Sequence, residues 1–307
     1  MGGTYSELNE LIQLRLNARH LYLFRPKVVN SPLAGGGQSL FKGRGMDFEE
    51  VRAYQAGDDI RTIDWRVTAR RSKAHTKIFK EERERPVLIL LDQSYSLFFG
   101  SCLNFKSVTA CETAALIAWA TQSHKDRVGG VLFNNQTLTT LRPTSSKAAT
   151  LHLLKQAEKL NKALTIKTMP STPPGGYLTN ALRHARRIAL PGTQLFVISD
   201  FKDMSNECLP QLSRLRRHCH MIAIRVSDPL ETELPPPASY IITNGMHRYT
   251  LDSRQRKHRR SFREYQQAQL TQLQQQLQEY RIPLLQLTTS SDTTEQLLAY
   301  FSRRRRS

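Results

Sequence analysis

An apolar run that stops abruptly on an acid is the feature that most restricts what this chain can fold into. "RPVLILLD", residues 85–92, is a continuous aliphatic stretch of strand length, ending at Asp92. A strand that is apolar on both faces has to be covered on both, as parallel sheets flanked by helices achieve. "TQLFVISD", residues 193–200, repeats the pattern and ends at Asp200. Between and after these runs, strand and helix signals alternate. Helices are expected over 105–122, 145–163, 178–190 and 206–219, strands over 126–134 and 220–227, and a short edge strand over 136–144. The helix at 105–122 is expected to show an apolar stripe through Val108, Ala115, Leu116 and Trp119. Alternation of this kind predicts an α/β fold: a mostly parallel, Rossmann-like sheet with helices on its faces.

The flanks read differently. "SELNELIQLRLNARHL" places Leu8, Leu11, Ile12 and Leu16 on one face of an N-terminal helix. A glycine-rich loop over 31–45 follows. Its Gly43–Gly45 pair lacks the strand and helix of a dinucleotide site and reads as a turn. Residues 46–84 are dense in charge and aromatics and read as a mixed segment. Two parts are therefore expected: 1–84, a helix plus mixed segment, and 85–307, the α/β domain. Within the second part, "YIITNGMHRYTL" predicts a hairpin at 239–250 about Asn244–Gly245. A glutamine-rich helix is expected at 252–281, its Leu270, Leu273 and Leu277 at helical spacing, then a last strand and a last helix.

Composition bounds the function. Of 307 residues, 39% are hydrophobic, enough for a sizeable core. No apolar run approaches the ~20 residues that cross a bilayer, and the N-terminal residues carry acids where a secretory leader would be apolar. Four cysteines show neither a CxxC pair nor a histidine at ligand spacing, so a zinc site or disulfide framework is not expected. These features together predict a cytoplasmic protein. The net charge of +19 invites a nucleic-acid hypothesis. The basic residues are spread along the chain, however, and the two clusters, Arg254–Arg260 and Arg303–Arg306, lack interleaved aromatics for base stacking.

The candidate site is "DQSYS". Asp92, Ser94 and Ser96 offer a carboxylate and two hydroxyls on one loop, and ligands of open parallel sheets bind beyond the carboxyl ends of the strands. With Asp200 from the second acid-ended strand, the oxygens suit a hard cation such as Mg²⁺. The same residues also suit helix caps and turns, and spacing leaves both readings open. Asp58, Asp59 and Asp64 lie among Arg52, Arg61, Arg66, Arg70 and Arg71, and read as a salt-bridge network around Trp65 and Tyr54, or as a docking surface. Scattered histidines, the lack of GxSxG and the lack of a P-loop argue against a hydrolase triad or an ATPase.

Longer stretches carry a resemblance. "DQSYS" resembles the metal-adhesion motif of von Willebrand factor A domains. The ordered set "GRGMDFEEVRAYQAGDDIRTIDW", "ARR", "FKEERE", "LLDQSYS", "VISDF" and "DPLETELP" resembles bacterial domain-of-unknown-function family 58, over about residues 43–235. The resemblance implies a von Willebrand A-like domain and a non-enzymatic adaptor. It implies as partners a MoxR-type AAA+ ATPase and other von Willebrand A proteins, in chaperone-like maturation or remodelling of other proteins. It also implies a third metal ligand, a threonine before a helix. Here "PPGGYLTNAL" puts Gly176 and Tyr177 where threonine and aspartate would stand, with Thr179 displaced into the helix. The expected constellation is therefore Asp92, Ser94, Ser96 and Asp200. The alternative is a basic nucleic-acid-binding protein, and a metal-dependent hydrolase using Asp92 and Asp200 ranks last.

Overall fold

A computed structural model of the chain describes residues 3–23, 46–55, 60, 63–71, 73–81, 86–166, 175–243 and 248–301. The Gly43–Gly45 turn, the acids Asp58 and Asp59, the Asn244–Gly245 turn and the Arg303–Arg306 cluster lie outside them. The chain divides into two compact units, Met1–Arg25 with Arg85–Ser307, and Pro26–Glu84.

The larger unit holds two short N-terminal helices, α1 (Leu8–Gln13) and α2 (Arg15–Ala18). They belong with the α/β unit, not with the mixed segment that follows them in sequence. Three bonds fix them there: Ser6 N donates to Asn161 Oδ1, Tyr5 Oη to the Leu164 carbonyl, and Trp119 Nε1 to the Leu11 carbonyl. The smaller unit, by itself, pairs β1 (Met46–Ala53) antiparallel with β2 (His75–Glu81), with α3 (Trp65–Arg71) between them in sequence. Trp65 is 67% exposed, so it is not the centre of a packed network. Asp64 caps α3, its Oδ1 accepting from Arg66 N and Val67 N, and Trp65 is the first residue of that helix.

The main sheet bears out the expected doubly wound, mostly parallel architecture. Its strands are β3 (Val87–Asp92), β4 (Val128–Phe133), β5 (Leu138–Thr144), β6 (Gln194–Ser199), β7 (His220–Ser227) and β10 (Leu284–Thr288), in the order β10-β7-β6-β3-β4-β5. Only β5, at the edge, runs antiparallel. β3, β4 and β6 are buried along their whole length, as expected of strands covered on both faces. Flanking them are α4 (Lys106–Ser123), α5 (Lys147–Lys162), α6 (Tyr177–Ile188), α7 (Cys208–Arg216) and α10 (Thr293–Phe301). α4 differs from the predicted one-sided stripe: it is buried nearly all round. α1, α2, α5 and α10 all pack against α4, and α5 and α10 also rest on the sheet, against β4 and β10.

After β7 come the short α8 (Pro229–Thr232), a separate hairpin of β8 (Ser239–Thr243) and β9 (Arg248–Asp252), and α9 (Arg256–Glu279). Leu273 and Leu277 of α9 join the core and Leu270 is half-buried, as their spacing predicts. Among the described residues no helix is long and apolar enough to cross a membrane.

Candidate functional site

The sheet order defines where a ligand can enter. From β3 the chain moves to β4 and β5 on one side, then returns to build β6, β7 and β10 on the other. The reversal leaves a crevice beyond the carboxyl ends of β3 and β6. Asp92 ends β3 and Asp200 directly follows β6, so the topology brings both expected acids to this switch point. Phe201, next along, has φ of 59°, a left-handed conformation uncommon for a bulky residue. Strain of this kind costs about 1–3 kcal/mol and gathers at functional sites.

The loop after Asp92 is tightly held. Asp92 Oδ1 accepts from Ser94 N at 2.8 Å, which turns the chain back on itself. Ser94 Oγ and Ser96 Oγ then lie 3.1 Å apart. Tyr95 N donates to Asn135 Oδ1 at 2.8 Å, and the buried Gln93 donates to the Ser107 carbonyl and accepts from Asn161 Nδ2. Asp92 Oδ2 accepts from the Ser199 hydroxyl at 2.6 Å. Burial, with the charge of Asp200 added, pushes the Asp92 carboxyl up to about 7, against the hydrogen bonds from Ser199 and Ser94.

Asp200 is held by a residue that pattern reading passed over. The Lys106 ammonium, fully buried at the start of α4, lies 2.8 Å from Asp200 Oδ2 and 2.6 Å from Glu231 Oε1. Burial opposes the charged lysine, but the two carboxylates outweigh it and hold its pKa above the ordinary value. Burial likewise pushes Asp200 up, and Lys106 and Lys202 outweigh that and hold it below the usual carboxylate range. Lys202 Nζ reaches Glu231 as well. A third strand end completes the edge. Asp228, following β7, accepts from Ser101 N, Ser101 Oγ, Thr289 Oγ1 and Leu230 N. These bonds outweigh its burial and hold its carboxyl below the usual range.

The third loop departs as the sequence indicates. Gly176, at the N-cap of α6, has φ of 92°, a conformation that excludes a threonine there. The start of α6 is closed by Asp203 instead, which accepts from Gly176 N at 2.8 Å and Leu178 N at 2.9 Å. Thr179 is buried in α6, its Oγ1 3.1 Å from Cys208 Sγ. Asp92, Ser94 and Ser96 are thus gathered on one loop, Asp200 stands beside them paired to Lys106, and Thr179 contacts Cys208. Among the described residues no group of three or more His, Cys, Asp and Glu side chains is arranged to hold a metal. A cation here would rest on serine hydroxyls and water as well as carboxylates. The donor set fits one that keeps water, because the Ser94 and Ser96 hydroxyls lie together on the loop that Asp92 begins, and among the described residues no cation is paired with Asp92.

The fold and site define a doubly wound α/β protein with an acid-tipped carboxyl edge. The family described as protein of unknown function DUF58 matches residues 50–272, and the chain belongs to that family. It is 28% identical to an uncharacterized protein of Mycobacterium tuberculosis over 94% of this chain and 89% of the relative. Among solved structures, it is similar to the conserved hypothetical protein BatB of Bacteroides thetaiotaomicron, with TM-score 0.42, 14% identity and coverage of 71% of this chain and 98% of that one. It is also similar to a von Willebrand factor type A structure from Catenulispora acidiphila, with TM-score 0.31, 10% identity and coverage of 50% and 35%.

Proposed function

We propose that this protein is a non-enzymatic, cytoplasmic interaction module that works with a MoxR-type AAA+ ATPase and other von Willebrand A proteins in maturing or remodelling other proteins. The observation that carries this reading is the carboxyl edge at the switch point. There the Asp92–Ser94–Ser96 loop runs on into a surface with Phe99 40% and Leu103 56% exposed. A polar centre with apolar neighbours suits a protein partner. A Mg²⁺ held by Ser94 and Ser96, with Asp92 in support, would offer an open position to a partner's carboxylate. The surroundings support binding over catalysis. Ser94 Oγ faces Ser96 Oγ, and among the described residues no histidine is hydrogen-bonded to it as a base would be. Asp200 keeps the loop's flank rigid through Lys106.

The test is co-purification from the native cell with Mg²⁺ and with a chelator. The reading predicts that an AAA+ ATPase is recovered with the unaltered chain in Mg²⁺. It predicts that Phe99→Ser combined with Leu103→Ser loses that ATPase while the chain stays folded. Recovery of no ATPase, or undiminished recovery with the double variant, would sink the proposal.

A further inference from the structure

Gln93 stands between Asp92 and Ser94, and the proposed function gives it no part. A loop residue at the mouth of a site is ordinarily exposed, yet Gln93 is fully buried. Its backbone N donates to the Phe133 carbonyl at 2.8 Å, which ties it to the end of β4. Its side chain is held at both ends: Nε2 donates to the Ser107 carbonyl and Oε1 accepts from Asn161 Nδ2, each at 3.0 Å. Asn161, in the last turn of α5, is fully buried too, and its Oδ1 accepts from Ser6 N at 2.8 Å.

Together these bonds form one directed chain. Donation runs from Ser6 N through the Asn161 and Gln93 amides to the Ser107 carbonyl. The two ends decide how both amides lie, because a backbone N–H only donates and a carbonyl only accepts. Turning over either amide, or both, would set donor against donor and acceptor against acceptor, in a buried place where unpaired polar groups are costly. Ser6 is itself fixed from both sides. Before it, Gly3 N donates to Asn104 Oδ1 and the Gly3 carbonyl accepts from Phe105 N. Around it, Tyr5 Oη donates to the Leu164 carbonyl and Leu8 N to Glu158 Oε1. The loop of Asp92, Ser94 and Ser96 is therefore tied to the N-terminal segment through two side chains.

We propose that Gln93 and Asn161 are positioning residues for the cation, holding the Ser94 and Ser96 hydroxyls in the arrangement that binds it, with the N-terminal segment as their anchor. The inference rests on the cation reading of this loop. Neither residue is a ligand, since their amide atoms are taken up by one another, by Ser107 and by Ser6. They act through the backbone on either side of Gln93. Mg²⁺ demands near-ideal octahedral geometry and gives up water reluctantly. A loop that meets this geometry only part of the time binds with an affinity lowered by that fraction.

The test uses the full chain, freed of metal by a chelator and then titrated with Mg²⁺. The variants are Gln93→Met with Asn161→Leu, and the milder Gln93→Met, which leaves Asn161 bonded to Ser6; circular dichroism checks that they fold. The apparent Kd for Mg²⁺, read from the rise in thermal midpoint, is expected to weaken about tenfold or more in each. A second readout needs no metal. In chelator, the Ser94 and Tyr95 amides, held by Asp92 and Asn135, are expected to exchange hydrogen about tenfold faster in the variants. The Ser101 amide, held by Asp228, serves as the control, because a general loss of stability would quicken all three alike. The inference alone is overturned if the unaltered chain responds to Mg²⁺ and the variants bind it as tightly, or if Ser94 and Tyr95 quicken no more than Ser101. No response to Mg²⁺ in the unaltered chain overturns the cation reading, and the inference with it.

Discussion

The loop after β7 and the loop after β3 stand two strands apart on one edge of the sheet, and each holds a buried aspartate. Asp228 is surrounded by donors: two hydroxyls and two backbone N–H groups. The bonds to Asp92 come from Ser199 and Ser94, and it faces the charge of Asp200. Both side chains are shielded from solvent, yet one carboxyl is held below its ordinary value and the other is raised to about 7, where deeper desolvation and the charge of Asp200 act together. The difference teaches that Asp228 is a clamp, complete within the chain. Asp92 is left short of positive charge, the condition in which an added cation contributes most.

The comparison can be broken most sharply at Lys106, which neutralises the strand end between the two. Lys106→Met leaves Asp200 and Glu231 buried without their ammonium. Its expected cost in urea unfolding is about 3–5 kcal/mol. Adding Asp200→Asn to it is expected to recover part of the loss. Next in size is Asp228→Asn, which breaks charge-assisted bonds to Ser101 and Thr289 and is expected to cost about 1–3 kcal/mol. Because Asp228 is held below its ordinary value, its contribution is complete above that value, near pH 4. It is lost as pH falls towards the folded pKa, so the variant should show a shallower acid-side loss of stability.

Asp92→Asn is expected to behave in the opposite way. A carboxyl raised to about 7 binds a proton in the folded state that the unfolded chain has released. It therefore subtracts stability progressively between about pH 4 and pH 7, and the deficit persists above that. In a chelator, Asp92→Asn should be near neutral at pH 5 and more stable than the unaltered protein at pH 8. A loss at pH 8 as large as that of Asp228→Asn would erase the distinction between the two loops. The smallest effect belongs to Phe99→Ser with Leu103→Ser. Both side chains are exposed, and the substitution should shift the folding midpoint by less than about 0.5 kcal/mol per residue, leaving its effect on binding clean.

Much of the architecture was legible because burial on both faces writes itself as uninterrupted aliphatic runs, as in "VLILL" and "LFVIS". The acids ending those runs marked the site for the same reason. Asp228 was harder to see: β7 is half exposed in places, and the clamp's donors Ser101 and Thr289 come from distant loops. Lys106 was illegible because lysine is rarely buried unless paired, and its partners lie 94 and 125 positions away. Trp65 misled because aromatic residues usually mark cores, whereas here it is the exposed first residue of a short helix that Asp64 caps. The membership of the N-terminal helices depended on Asn161 and Trp119, and long-range hydrogen bonds leave no local pattern.

The central claim is that the β3 end is built to take a cation that the β7 end does not need. The direct measurement is the thermal midpoint at pH 8 as Mg²⁺ is added to chelator-treated protein, alongside Asp92→Asn and Asp228→Asn. A ligand bound only by the native state stabilises it by about 2.7 kcal/mol at one hundred times its Kd. The account predicts a midpoint that rises with Mg²⁺ in the unaltered chain and in Asp228→Asn, and stays flat in Asp92→Asn. A midpoint in the unaltered protein that does not move at millimolar Mg²⁺ would contradict it.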